Sequence, residues 1–390
     1  MAVTVHGRDV TLDDVLRRAE ELVPRVRERA SRAEQLRRVP NETMQEFLDA
    51  GLFRVLQPKY WGGFELNYGR TQTELCNALG RACGSSAWVQ CVVACHAWCL
   101  AMFPPEGQGA VWARDANTLI ASAFAFTTGR DRPVDGGYYI EGNWQFSSGS
   151  NACEWIILGT PIFDGDGRPV KSLWCLVERP NWEVVDTWYA AGLKGSASND
   201  INVNGVFVPE ALTLSGVRWT AHPGSALNPG SNYRLPLWSV FSYKVSTQAL
   251  GIARGAIEAY VEYMRARPER ANMTQRQLRI PESAAEVGRR RSVAAVRCEE
   301  ARAPRTYWRS LAARVPGEAS PRPGIFDDAL HARGRSSGER CRAHGMLEDT
   351  PIQRACRDIH AVANHGANNW DLQAVPYARE VLGLPRVQGR

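Results

Sequence analysis

Hydrophobic periodicity changes twice along this chain, and those two changes limit its fold more than any other feature. Over residues 10–117 apolar positions recur every three or four residues, as in LDDVLRRAEELVPRVRERASRAEQL, and Pro40-Asn41-Glu42-Thr43 opens a further helix. Over residues 118–215 the period shortens. IASAFAF, YYIEGNWQF, EWIILGTPIF, KSLWCLVERP, WEVVDTWYA and NDINVNGVFVP are short β-branched and aromatic runs divided by Gly, Asp, Asn and Pro. They predict the strands of a compact β-barrel or sandwich. Residues 216–236, with His222-Pro223-Gly224 and Asn228-Pro229-Gly230, read as a loop, and helical spacing returns from Trp238. The expectation is an α+β chain with an N-terminal helical domain (1–117), a central β domain (118–215) and a C-terminal helical domain (216–390).

A chain of 390 residues is long enough to bury a large core. Its start, MAVTVHGRDV, has no apolar segment of a secretory leader. The longest apolar run, residues 87–103, is interrupted by Gln90 and His96 and is too short for a bilayer, so it reads as a buried helix. A soluble, cytoplasmic protein without a membrane role is expected. Ten cysteines include no C-x-x-C pair. Cys91, Cys95 and Cys99 recur every four residues, which lines them along one helix face and not around a tetrahedral zinc ion, so they read as reduced, space-filling thiols and no metal is assigned. The net charge of +6 is also local: residues 282–345 hold thirteen arginines and eight acids, giving +5. No basic run elsewhere interleaves with aromatics, so nucleic acid is not an expected partner.

The most informative segment is Tyr138 to Gly159, YYIEGNWQFSSGSNACEWIILG. Two strand-like runs flank a polar knot, Ser147-Ser148-Gly149-Ser150-Asn151, beside Trp144 and Phe146. Hydroxyls, a glycine and flat apolar side chains suit a planar heteroaromatic ligand. The same spacing also describes a hairpin with a Ser/Gly loop.

WQFSSGSNACEWIILG resembles the W-x-F-x-S-G segment of flavin-dependent monooxygenases with the acyl-CoA dehydrogenase fold, the oxygenase halves of two-component hydroxylases. Four further blocks carry the likeness in order. LRRVPNETMQEFLDAGLFRVLQPKYWGGFEL (36–66) is similar to the family's opening helix and P-x-x-x-G-G turn, and GSSAWVQCVVACHAWCLAMFP (84–104) to its buried helix with a central histidine. GLKGSASNDINVNGVFVPE (192–210) resembles the strand pair closing its β domain, and LEDTPIQRACRDIHAVANHGANNWD (347–371) its closing helices. Five ordered blocks are more specific than any one.

The resemblance implies a helix–sheet–helix layout ending in a helical bundle, a homotetramer, and hydroxylation of a small aromatic substrate (phenolic, indolic or polyketide) through a flavin hydroperoxide. Reduced FMN or reduced FAD would come from a separate flavin reductase, and O2 would be the oxidant. No G-x-G-x-x-G follows a strand, so the chain is not expected to oxidise NAD(P)H itself. Residue by residue, Ser147 and Ser148 fall where the family's serine meets the flavin, with Trp144 and Phe146 as walls. His96 falls at a substrate-facing histidine able to accept a proton, and Ser122 at a second substrate contact. On residue pattern alone, a lone histidine on an apolar helix also reads as a satisfied core residue. His365, followed by Gly366 and Asn368, matches the family's flavin-side histidine better than His360, although the sequence leaves both open. Arg234, Thr247, Gln248 and Arg254 are further candidates for flavin phosphate or ribose.

Two features depart from the family. Between Pro281 and Ala343, Pro304, Pro316, Pro321 and Pro323 fall where long helices are expected, and the texture suits either a divergent surface insertion or a locally shifted reading frame. The tail also reads Asn-His-Gly-Ala-Asn-Asn where an acyl-CoA dehydrogenase commonly displays a carboxylate base. That weakens the alternative of a dehydrogenase proper. A catalytically idle, flavin-binding relative is a third reading. The substrate and the choice between FMN and FAD are not legible in the sequence.

Overall fold

A computed structural model describes residues 9–129, 131–215, 223–235, 237–266 and 347–368, and the atypical 282–343 stretch lies outside them. The chain divides into two compact units. The first comprises Met1–Tyr68, Trp88–Ala190 and Lys194–Pro236, and the second Gly69–Ala87, Ala191–Leu193 and Leu237–Arg390.

In the first unit, helix α1 (Leu12–Glu28) begins with a capping box: Thr11 Oγ1 accepts the Asp14 amide at 3.2 Å, and Asp14 Oδ2 accepts the Thr11 amide at 3.1 Å. It buries Val15, Ala19, Leu22, Val23 and Val26, one stripe at helical spacing. Each large aliphatic so buried contributes about 1.5–3 kcal/mol before entropy is counted. The long N-terminal periodicity is not one helix. It breaks at Arg29, and α2 (Ala30–Leu36) and α3 (Asn41–Asp49) follow. Helices α4 (Tyr68–Gly80) and α5 (Gly84–Leu100) come next, then α6 (Pro105–Trp112). From Trp88 onward α5 belongs to the first unit, and nearly every side chain on it is buried.

Among the described residues the strands form two sheets, neither closed into a barrel. One has the order β1 (Ile120–Ala123), β5 (Trp155–Phe163), β6 (Pro169–Glu178), β9 (Thr213–Ser215). The other runs β2 (Ala125–Gly129), β4 (Gly137–Ser147), β8 (Asn199–Pro209), β7 (Glu183–Val185), with β3 (Arg132–Val134) paired to β4. Among the described residues only β1 and β5 pair in parallel. All four β1 residues are buried, because hydrogen bonds from α5 reach one side while β4 packs against it as well. Between the sheets the Trp144 indole donates to Gly159 O at 2.9 Å, and Phe124 stacks on Trp174 with centroids 4.6 Å apart. Asp131 is buried there too. Its carboxylate accepts the Glu141 amide at 2.7 Å and the Thr160 hydroxyl, and burial pushes its pKa up to about 6.

In the second unit, α7 (Leu237–Arg265) packs on α8 (Pro351–Ala363). A Cβ at Gly251 would fall 2.0 Å from Cys76 O, so glycine there permits α4 and α7 to approach closely. Helix α8 starts at Thr350, whose hydroxyl accepts the Gln353 amide, and the buried Asp358 accepts the Leu193 amide at 2.6 Å. Among the described residues no helix is long and apolar enough to cross a membrane, and no three His, Cys, Asp or Glu side chains are grouped to hold a metal ion. Cys91, Cys95 and Cys99 are all buried, with Cys95 Sγ 3.0 Å from the Tyr68 hydroxyl.

Candidate active site

The serine knot sits at the end of β4, where the strand loses its alternation. Trp144 pairs with Ile201 and Ser147 with Asn199, so Gln145 and Phe146 together oppose Asp200 in a bulge. Phe146 has φ 68°, in the left-handed region. Trp144 and Phe146 therefore do not share a face: Trp144 is 0 % exposed and Phe146 is 58 % exposed. Of the two aromatics expected as flavin walls, only Phe146 presents its ring to solvent. Trp144 spends its indole N–H on Gly159 and its ring on Phe126, 5.4 Å away, whereas Phe146 lies edge-on to Trp188 at 6.1 Å.

The two serines also part company. Ser147 is fully buried and its hydroxyl has no hydrogen-bond partner. Such a group carries a desolvation cost unless a ligand meets it. Ser148 is fully engaged instead. It accepts the Trp88 indole N–H at 2.9 Å and shares a 2.7 Å bond with Ser198, which shares another of 2.7 Å with Ser196. Gly149, at φ 70°, closes the knot by donating its amide to Ser196 O, and a Cβ there would meet Val89 at 2.9 Å. Trp88, Ser196, Ser198 and Trp188 were not singled out from sequence. Ser196 and Ser198 lie in the recognised block 192–210, and that adjacency was the available signal.

His96 and Ser122 come together on α5 and β1. His96 Nδ1 is 2.8 Å from Ile120 O, and its Nε2 is 2.7 Å from Ser122 Oγ. A carbonyl only accepts, so Nδ1 carries the proton, and the neutral ring's Nε2 accepts from Ser122. Both side chains are buried.

The remaining candidates are divided. Arg234, in the first unit, is exposed and donates to Pro229 O at 2.6 Å, folding onto its own loop. Gln248, in the second, is buried with neither amide oxygen nor nitrogen hydrogen-bonded. Thr247 donates to Lys244 O, and Arg254 pairs with Glu258 at 2.9 Å. His360 and His365 do not lie on one helix: α8 ends at Ala363 and His365 falls in the following turn. His360 Nδ1 is held 2.7 Å from Cys356 O. His365 Nδ1 accepts the Ala367 amide at 3.1 Å, which puts its proton on Nε2. The protein packed around His365 and the nearby Lys244 charge push its pKa down to about 4. The ring is solvent-exposed, which tempers the effect of burial, but the direction keeps it neutral at pH 7.

Within the first unit, an orphaned buried hydroxyl at Ser147 beside an exposed ring at Phe146 fits a planar, hydrogen-bonding cofactor such as a flavin.

The acyl-CoA dehydrogenase N-terminal domain family matches residues 12–116 and the C-terminal domain family residues 243–370, the latter running through the atypical stretch. The chain is 33% identical to the flavin-dependent monooxygenase oxygenase subunit HsaA of Rhodococcus jostii, over 95% of this chain and 98% of that one. It is 29% identical to the p-hydroxyphenylacetate 3-hydroxylase oxygenase component of Acinetobacter baumannii, over 96% and 90%. The solved HsaA monooxygenase of M. tuberculosis superposes with a TM-score of 0.87 at 32% identity, covering 97% of this chain and 99% of that one. The chain belongs to the flavin-dependent monooxygenase oxygenase components built on the acyl-CoA dehydrogenase fold.

Proposed function

We propose that this protein hydroxylates a small aromatic substrate carrying an acidic O–H or N–H, using reduced FMN or FAD delivered by a separate reductase. The reading rests on the unpartnered Ser147 hydroxyl, buried beside the exposed Phe146 ring. Reduced flavin, when bound, reacts with oxygen and supplies the electrophilic oxygen atom. The protein's own task is to hold the ring system, exclude water and manage one proton. Ser147 donates a hydrogen bond to the flavin, and Phe146 covers part of its ring system. In the second unit, taken by itself, Gln248 is a candidate to hydrogen-bond a ligand through its side-chain amide.

His96 and Ser122 handle the proton. Ser122 Oγ donates to His96 Nε2 and keeps lone pairs to accept a substrate hydroxyl or indole N–H. As the substrate gives its proton to Ser122 Oγ, Ser122 passes its own to His96 Nε2. The Nδ1–H bond to Ile120 O steadies the imidazolium that results. Loss of the substrate proton raises electron density on the ring carbon that takes up oxygen.

We further propose a homotetramer. Helix α7 buries residues on more than one side, as a central bundle helix does, and light scattering on the flavin-free chain tests the assembly. The functional test combines purified protein, a flavin reductase, NADH and a panel of phenols, indoles and naphthols. Hydroxylated product should form only with the reductase present. NADH oxidation by the chain alone, or no product from any member of the panel, would count against this reading.

A further inference from the structure

We propose that Phe146 is a positioning residue: its left-handed backbone, held by the edge contact of its ring with Trp188, is what directs the Ser147 hydroxyl. The inference rests on the role given above to Ser147.

Parity along β4 carries the argument. From the buried Trp144, strict alternation would turn Gln145 outward, Phe146 inward and Ser147 outward. The structure has Phe146 out and Ser147 fully buried. The inversion occurs at the bulge, where Phe146 takes φ 68°. A bulky L-residue holds that conformation only where its surroundings over-determine it.

The surroundings are visible. Phe146 meets Trp188 at 6.1 Å with the rings 74° apart. Trp188 is itself fixed, because Asn199 Oδ1 accepts the amides of both Thr187 (3.1 Å) and Trp188 (3.0 Å), while Arg37 donates to Trp188 O at 3.4 Å. Asn199 is also the residue paired with Ser147 across the sheet. One asparagine therefore ties the Trp188 clamp to the strand position that the kink sets. On the other side, Gly149 supplies a second left-handed residue and anchors its amide on Ser196 O. Ser147 therefore lies between two residues of left-handed backbone, Phe146 in the strand bulge and Gly149 after it.

The test separates backbone from ring. Phe146→Gly and Phe146→Ala both remove the ring and the Trp188 contact, but only glycine holds the left-handed conformation without a clamp. The full chain is assayed anaerobically for binding of reduced FMN, and without flavin for its thermal midpoint. Both variants lose the ring that covers the flavin, so both should bind reduced FMN more weakly than the wild type, and Phe146→Ala should bind it about fivefold more weakly than Phe146→Gly. Phe146→Ile, β-branched at a left-handed position, should show the lowest midpoint of the set. If Phe146→Ala binds as well as Phe146→Gly, or better, the proposal is overturned. If Phe146→Ile does not fold, the Gly/Ala pair alone decides. A Ser147→Ala control distinguishes the two levels. Unchanged FMN binding there removes the serine from the flavin site and this inference with it; weakened binding together with a reversed Gly/Ala ranking removes this inference alone.

Discussion

His96 Nε2 and Ser122 Oγ lie 2.7 Å apart, and the opposite nitrogen of the same ring is bound to Ile120 O, two residues before that serine. Helix α5 and strand β1 thus fix both nitrogens of one imidazole, which leaves a single tautomer and one direction for a proton to travel.

His96→Asn should retain reduced-flavin binding while product formation falls by about 10²–10⁴-fold. Ser122→Ala should reduce product less, since a water can bridge the gap it leaves. Peroxide release without product in His96→Asn, measured alongside flavin oxidation, is the expected signature. Loss of flavin binding in a folded variant would instead give His96 a structural role.

Ser147→Ala should separate stability from binding. A buried hydroxyl with no partner destabilises the flavin-free chain, so its removal should leave the thermal midpoint unchanged or higher. Reduced-flavin affinity should drop about tenfold, equivalent to about 1.4 kcal/mol. A lower midpoint with unchanged affinity would place Ser147 in the core alone.

Asp131 makes a pH prediction. Its folded pKa is raised to about 6 by burial, so between the usual carboxylate range and pH 6 the folded chain binds more protons than the unfolded one. Its contribution is therefore greatest at low pH and is lost as pH rises through about 6, at a cost on the order of 3 kcal/mol. Asp131→Asn keeps an acceptor for the Glu141 amide without the charge. Urea titrations from pH 4 to 8 should show a flatter profile for this variant, and a steeper one would contradict the assignment.

Lys244 was not anticipated as a neighbour of His365. Its charge adds to burial in lowering the His365 pKa, so Lys244→Met should shift the His365 titration upward when followed by NMR of labelled histidines. An unmoved titration would show that Lys244 has no electrostatic hold on the ring.

Much of the fold was legible because it rests on local repetition. The α1 stripe of Val15, Ala19, Leu22, Val23 and Val26 follows from helical spacing, and the Thr11/Asp14 cap lies within four residues. The break at Arg29 and the two-sheet arrangement were less clear, since both depend on what each segment packs against. At the site, residue types were readable and their arrangement was not. Ser147 and Ser148 look alike in sequence, yet one hydroxyl is orphaned and the other belongs to a chain with Trp88 and Ser198.

By itself, then, the sequence determined the order of helices and strands, the family, and a short list of polar residues in apolar settings. It did so because periodicity, caps and motifs are written in neighbouring residues. Tertiary structure decided which of those residues face one another. The β4–β8 register sends Trp144 inward and Phe146 outward, and the meeting of α5 with β1 joins His96 to Ser122. Those outcomes are contacts between segments distant along the chain, where a one-residue change of register reverses every side chain, and no local pattern encodes that choice.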